Sequence, residues 1–237
     1  MASTTPPTST PPAGTPLSST PLSSTPLSST PRTRLGRSKE RGSDDRDDLY
    51  EVLDAGLICH LGVVADGCPM VVPTGYGRDG DTLYLHGSTG SRSVRAAQET
   101  DVCVTVTHLD GIVLARSVFH HSVNYRSAMI YGRARLVTDE EERLTGLRVL
   151  TERLAPGQWD YARRPNRKEL AATAVLALPL DEASVKIRRG APVDEDEDHA
   201  LPVWAGVLPL VTRWGAPVPD PALREGIDVP VHIGGRR

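Results

Sequence analysis

The chain has 237 residues, 38% of them hydrophobic, and a formal net charge of −3. That is enough apolar material for a core, and the charge balance gives no support to a nucleic-acid partner. Three cysteines, Cys59, Cys68 and Cys103, with no CxxC pair, exclude a disulfide framework or a cysteine zinc site and fit small buried thiols in a reducing, cytoplasmic setting.

No run of about 18 apolar residues predicts a membrane span, and the N-terminus lacks the apolar stretch of a secretory signal. The unit T-P-L-S-S occurs three times between Thr15 and Ser29. Its period is too short for a solenoid repeat, proline in each unit forbids a helix, and Ser and Thr build no core. Residues 1–42 are therefore expected to form a disordered, polyproline-leaning tail. A basic patch, Arg32, Arg34, Arg37, Lys39 and Arg41, closes it.

Structure is expected from Ser43, read as an N-cap ahead of four aspartates that suit a helix dipole. Leu49, Val52 and Leu53 share a helical face, and Gly56 ends it. Residues 57–65 predict a strand, and Asp66-Gly67 a hairpin turn. A second strand follows over 70–78, a second turn at Asp79-Gly80, and a short strand over 82–86. A helix is expected from Ser91 to Gln98 and strands over 102–108 and 127–137. A helix opening at Thr138-Asp139 carries Leu144, Leu147, Leu150 and Leu154. Two late strands lie over 173–180 and 183–189. Hairpins with intervening helices predict an α+β fold, a mostly antiparallel barrel rather than a doubly wound sheet. Residues 43–190 form that domain. Residues 191–237 supply a solvated acidic loop, with no metal site, and an apolar arm around Trp204 that covers the barrel or a second copy.

Gly75 to Gly80 spells GxGxxG, but a strand rather than a helix follows it, so the glycines serve a hairpin and no dinucleotide fingerprint. The segment His86-Gly87-Ser88-Thr89-Gly90-Ser91-Arg92 leaves a strand and enters a helix. Its hydroxyls, free backbone N–H groups and guanidinium are what a phosphate needs, although an ordinary capped loop has the same composition. Between Arg116 and Ser127 polar groups crowd together: Arg116, Ser117, His120, His121, Ser122, Asn124, Arg126 and Ser127. In a strand His120 and His121 point to opposite faces, so they do not ligate one metal. The density itself predicts a polar ligand.

Three pieces in this order resemble the pyridoxamine 5′-phosphate oxidase-like FMN-binding proteins, nearest the branch with the nitroimidazole-resistance flavoproteins. They are Val72-Pro73-Thr74-Gly75-Tyr76, the His86 to Arg92 loop, and Asn124-Tyr125-Arg126-Ser127 leading into Tyr131-Gly132-Arg133-Ala134. The resemblance covers about residues 43–189. It implies a split barrel that forms a homodimer with FMN at the subunit interface. Ser88, Ser91 and Arg92 would hold the phosphate, with His86 and Tyr76 in the same site. Backbone around Val72, Pro73 and Thr74 would lie along the isoalloxazine, and Arg116 and Asn124–Ser127 would face its other side. Ser93 stands where the oxidases proper carry a basic residue, a role Arg95 could take. The basic and tyrosine pattern for pyridoxal phosphate is absent, so pyridoxamine oxidation is not the first expectation. The implied function is an FMN-dependent oxidoreductase acting on a small planar substrate such as a nitro compound, with His120 or His121 as proton donor. A flavin store or sensor, a haem- or deazaflavin-binding relative, and an adaptor with an empty barrel are the alternatives. No nucleic acid or membrane is expected as a partner.

Overall fold

The computed structural model describes residues 26–236. Along that span run β1 (Gly42–Ser43), α1 (Arg46–Ala55), β2 (Ile58–Ala65), β3 (Cys68–Asp79), β4 (Thr82–Ser88), α2 (Arg92–Glu99), β5 (Val102–Leu114), β6 (Ser122–Gly132) and β7 (Arg135–Leu136). Then follow α3 (Glu140–Leu154), α4 (Gln158–Tyr161), α5 (Arg167–Ala172), β8 (Thr173–Pro179), β9 (Glu182–Arg188), β10 (Gly206–Pro209) and α6 (Val231–Gly234). The strands make one antiparallel sheet that does not close, in the order β1-β9-β6-β5-β2-β3-β4-β8-β7, with β10 paired to the far end of β5. This is the expected α+β split barrel. No helix among the described residues is long and apolar enough to cross a membrane.

Asp66 and Gly67 take φ of 52° and 75°, the left-handed pair that a two-residue hairpin turn requires, and they fold β3 back on β2. Alternate residues of β2 are buried: Cys59, Leu61, Val63 and Ala65. They meet Leu49, Val52 and Leu53 of α1, Val104 and Val106 of β5, and Leu176 and Leu178 of β8 in the main core. Burial pushes the Cys59 thiol up to about 12, so it is an inert core residue. Strand β8 is buried on both faces: Leu176 and Leu178 face the main core, while Val175 and Ala177 face a second layer under α3 with Tyr84 and Leu150. Helix α3 sits very close to the sheet. A Cβ on Gly77 would lie 2.8 Å from Val149, and one on Gly146 would lie 2.9 Å from Tyr84, so only glycine permits this approach.

Several expectations need correction. The N-cap of α1 is Asp45, whose carboxylate accepts from Asp47 N at 2.9 Å; Ser43 sits in β1 instead. Strand β5 continues six residues beyond the expected end, and β6 starts at Ser122 and stops at Gly132 rather than running to 137. The strands β1 and β10 and the helices α4, α5 and α6 were not expected; all are seven residues or fewer, too short for a periodic signal.

The tail expected over residues 1–42 is ordered where it is described; residues 1–25 lie outside the described span. Leu27, in the third T-P-L-S-S unit, is 8% exposed and belongs to the main core. Its N–H donates to Asp44 O at 2.9 Å. Arg32 bridges Asp101, at 2.7 Å, and Glu182, and holds the Glu182 carboxyl below its ordinary range. Neighbouring Ser and Thr residues hid one leucine that the fold needs. Leu27→Ala should therefore lower stability by about 2 kcal/mol, read from urea unfolding followed by tryptophan fluorescence. A variant that unfolds at the wild-type midpoint would show that the segment only rests on the surface.

Candidate functional site

Strand β3 pairs with β2 from Cys68 to Gly75, then with β4 from Tyr76 to Asp79. Over residues 68–75 its other edge has no strand partner among the described residues. Backbone groups of Val72, Pro73 and Thr74 therefore lie on an open edge, beside which a planar ring could be held by main-chain hydrogen bonds. The Val72 and Thr74 side chains are half-buried on the core side, and Pro73 is exposed on the outer face. Tyr76 does not offer its side chain: it is 1% exposed and donates its hydroxyl to Leu53 O at 2.5 Å. Burial raises its phenol well above the ordinary value. It is a core residue that ties α1 to β3.

The loop from Ser88 to Ser91 leads into α2. Ser91 is the N-cap but makes no side-chain cap; its hydroxyl bonds that of Ser93 at 3.0 Å. The first turn of α2 holds no acidic residue. Its uncapped N–H groups and the helix dipole favour an anion. Ser88 accepts from Gly90 N at 3.2 Å, which tightens the loop. The Arg92 guanidinium is half exposed and held by Asp66 at 2.7 Å and by Ala65 O at 3.2 Å. That contact ties the first residue of α2 to the β2–β3 turn, from which β3 starts.

Most of the polar run from Arg116 to Ser127 finds its partners within the chain. Asp194 accepts from Arg116 N at 2.8 Å and pairs with its guanidinium at 2.9 Å. Burial pushes the Asp194 carboxyl up, but these hydrogen bonds, with one from Ser117 N, leave it below its usual range. Asp194 is thus no solvated loop charge. Arg126 makes a two-pronged contact with Asp110, at 3.1 and 3.0 Å, and reaches Glu51 at 3.3 Å. Asn124 donates to Gly190 O at 3.1 Å and accepts from Arg188. His121 Nδ1 accepts from Ala115 N at 3.0 Å, and His120 lies 3.6 Å from Glu195. Asn124, Arg126 and His121 find partners within the chain, from loop 189–195, the ends of β5 and β9, Asp110 and Glu51, whereas the buried Nε of Arg116 has no partner among the described residues. Tyr125 and Ser127 stand on the outer face of β6, Ser127 lining a surface cavity of about 190 Å³ with Arg32, Met129 and Lys186.

Nor does the protomer bring His120 and His121 to the Arg92 loop. Gly62 of β2 pairs with Cys103 at the start of β5, near the Asp66 turn, whereas His120 and His121 follow its end at Leu114. A straight strand of 13 residues spans roughly 40 Å.

His86 occupies a third position. Leu83 and Leu85 point into the main core, and His86 shares the opposite face of β4 with Tyr84. It opens into a cavity of about 310 Å³ roofed by α3, α4 and α5 and lined by Leu147, Thr151, Trp159, Pro165 and Leu170. Its imidazole has no hydrogen-bond partner among the described residues. The side chain stays exposed at the cavity mouth, and partial desolvation there lowers its pKa below the ordinary value.

Comparison with known proteins gives the family. The sequence profile described as pyridoxamine 5′-phosphate oxidase matches residues 45–187. The chain belongs to the pyridoxamine 5′-phosphate oxidase family. Its match to the flavocytochrome Anf3 of Azotobacter vinelandii has a TM-score of 0.85 and 39% identity, covering 90% of this chain and 99% of that one. The FAD and haem binding protein of Mycobacterium smegmatis is 43% identical with a TM-score of 0.79, covering 83% and 97%. A Bacteroides thetaiotaomicron protein described as a 5-nitroimidazole antibiotic resistance protein is 23% identical, with a TM-score of 0.53 over 62% and 86%, and shares the fold. No curated protein matches the chain. The split-barrel flavoprotein family expected from sequence is thus the right one.

Sequence reasoning missed the cavity wall around His86, Asp66 as the partner of Arg92, and Asp194 as the partner of Arg116. One signal was available: W-D-Y-A-R-R-P-N, residues 159–166, is an aromatic and dibasic cluster directly before a capping box at Asn166 and Glu169. If the Arg116–Asp194 pair is structural, Arg116→Ala, Asp194→Ala and the double variant should unfold at nearly the same denaturant midpoint, below wild type, and keep their cofactor content. Additive losses would mean that the two residues act apart.

Proposed function

We propose that this protein is a flavin- and haem-binding oxidoreductase whose flavin nucleotide sits between the α2 N-terminus and the open edge of β3. The observation that carries this reading is an uncapped, acid-free helix start whose Arg92 is tied to the turn that leads into an unpaired strand edge. An anionic tail and a flat hydrogen-bonding ring fit these two features together. The flavin proposed is FAD rather than FMN, and haem is the second group; the support is the naming of FAD and haem for the 43% identical relative and of a flavocytochrome for the 39% identical one. When bound, a flavin exchanges one or two electrons and a haem one. The protein's own part is to orient the ring along residues 70–75, to neutralise phosphate with Arg92, helped by Ser88 and Ser91, and to exclude water. A small-molecule electron acceptor is the proposed substrate.

The reading includes a homodimer. The outer face of the sheet exposes Ile58 (51%), Val64 (48%), Val71 (65%) and Leu109 (42%). Their neighbours there include Pro73 and His60, and charges from Glu182 and Lys186 edge the face. An apolar centre with a charged rim has the make-up of a subunit interface, and a second copy is its proposed occupant. That copy is also what could bring His120 and His121 to a flavin.

Protein purified without added cofactor should show flavin absorbance, and acid release with chromatography should yield FAD; FMN would correct the nucleotide. Arg92→Ala should weaken the nucleotide by about ten- to a hundredfold, the worth of a charge-assisted contact of roughly 1.5–3 kcal/mol, and leave riboflavin almost unchanged. Asp66→Asn keeps the turn and releases Arg92, so it should tighten the nucleotide by up to about fivefold, given the roughly 0.2–1 kcal/mol of an exposed pair. Equal effects on riboflavin would remove the phosphate from this loop. Sedimentation should find a dimer, and Val71→Asp a folded monomer; a wild-type monomer would refute the interface.

A further inference from the structure

We infer that the loop from Ser28 to Ser43, with the sheet face beneath it, forms a binding site for a small phosphate-bearing molecule. The proposed function does not use this region.

The loop carries the basic patch seen in the sequence: Arg32, Arg34, Arg37, Lys39 and Arg41 against a single acid, Glu40. Its ends are pinned together. Leu27 N donates to Asp44 O at 2.9 Å, and Gly42 and Ser43 pair with Lys186 and Val185 of β9. Inside it, Thr33 donates its hydroxyl to Ser28 O at 2.9 Å and accepts from Thr30 N at 2.8 Å. Closed ends and internal hydrogen bonds make this a compact Ω-loop, a form frequently used for function.

The loop crosses the outer faces of β6 and β9 and leaves two cavities. The first, about 190 Å³, lies between Arg32–Gly36 and a floor of Ser127, Met129, Tyr131, Ser184 and Lys186. On that floor Ser127 stands opposite Lys186, and Met129 opposite Ser184. The second, about 250 Å³, adjoins it: Thr33, Arg34, Leu35 and Ser184 line both, and Lys39 lines the second.

Charge gives the class of ligand. Arg34, Lys39 and Lys186 have no acidic partner among the described residues, and Lys186 is half-buried. No acidic side chain among the described residues lines the first cavity. The nearest acid on the sheet, Glu182 opposite Tyr131, is already taken by Arg32 and by the Thr30 hydroxyl. Cations gathered without an anion repel one another, and partial burial adds a desolvation cost. A bound anion relieves both. Guanidinium, ammonium and hydroxyl donors stand on roof and floor alike, which suits the oxygens of a tetrahedral phosphate better than the two coplanar oxygens of a carboxylate. Each cavity is below the roughly 300–1,000 Å³ of cofactor pockets, so a small phosphate ester or diphosphate fits and a second large cofactor does not.

The test is calorimetric titration of the full chain, as purified, with pyrophosphate and with malonate. Pyrophosphate should bind and raise the melting temperature, and malonate should bind far more weakly. Lys186→Gln and Arg34→Gln should each weaken pyrophosphate by about tenfold, the loss of one charge-assisted contact, and keep the melting temperature of the ligand-free protein. Arg37→Gln removes the same charge from the loop but lines neither cavity, and Arg92→Ala removes a cation from the loop proposed for the flavin. Both should bind pyrophosphate as wild type does. A wild-type chain that binds no pyrophosphate would overturn the site. An equal loss in Arg37→Gln would reduce it to general charge attraction, and a loss confined to Arg92→Ala would move the probe to the flavin loop; either result overturns the assignment. Equal affinity for malonate would overturn the choice of phosphate.

Discussion

Strand β3 changes partner once, between Gly75 and Tyr76, and the site follows from that change. The first eight residues belong to the β2 hairpin and the last four to the β4 hairpin. No position in the strand has a ladder on both sides, so the first stretch keeps a free edge of backbone polar groups. An edge of this kind is normally a liability that must be paired or covered. Under the proposed function a bound ring is its cover. Tyr76 fixes the switch point, since its ring fills the core and its hydroxyl ties the strand to the end of α1.

A second constraint acts on the other face. Helix α3 lies against the sheet through Gly77 and Gly146, and its Arg153 reaches Gly56 O at 2.9 and 2.8 Å. The C-terminal half of α3, with α4 and α5 behind it, is thereby held over β4. A cavity remains where the layer cannot close on His86. The same strand is thus buried under one layer through Tyr84 and open under it through His86, two residues on.

The polar segment between β5 and β6 draws most of its partners from elsewhere in the chain. Arg126, Asp110 and Glu51 join a bulge of β5 to α1, and Arg116 and Asp194 clasp the chain as it leaves β9. Buried polar groups need partners, but partners from 70 or more residues away are invisible in a local reading. Asp194 looked like one charge in an acidic run, and Arg116 looked like a ligand contact.

Local chemistry was legible in the sequence. Asp66-Gly67 and Asp79-Gly80 name their turns, alternation over residues 58–65 names a half-buried strand, and the loop from His86 to Arg92 names a passage from strand to helix. These depend on neighbours in the chain, whose geometry the backbone fixes. The family was legible for the same reason, because its motifs are local. Tertiary structure decided what depends on distant contacts. It placed Leu27 of a Ser/Thr/Pro repeat in the core, turned Tyr76 inward, and set His86 under α3 rather than simply beside Ser88. It also put Asp66 on Arg92 and Asp194 on Arg116. Those outcomes arise because burial and ion pairing are properties of position in space, and a sequence specifies them only through the whole fold.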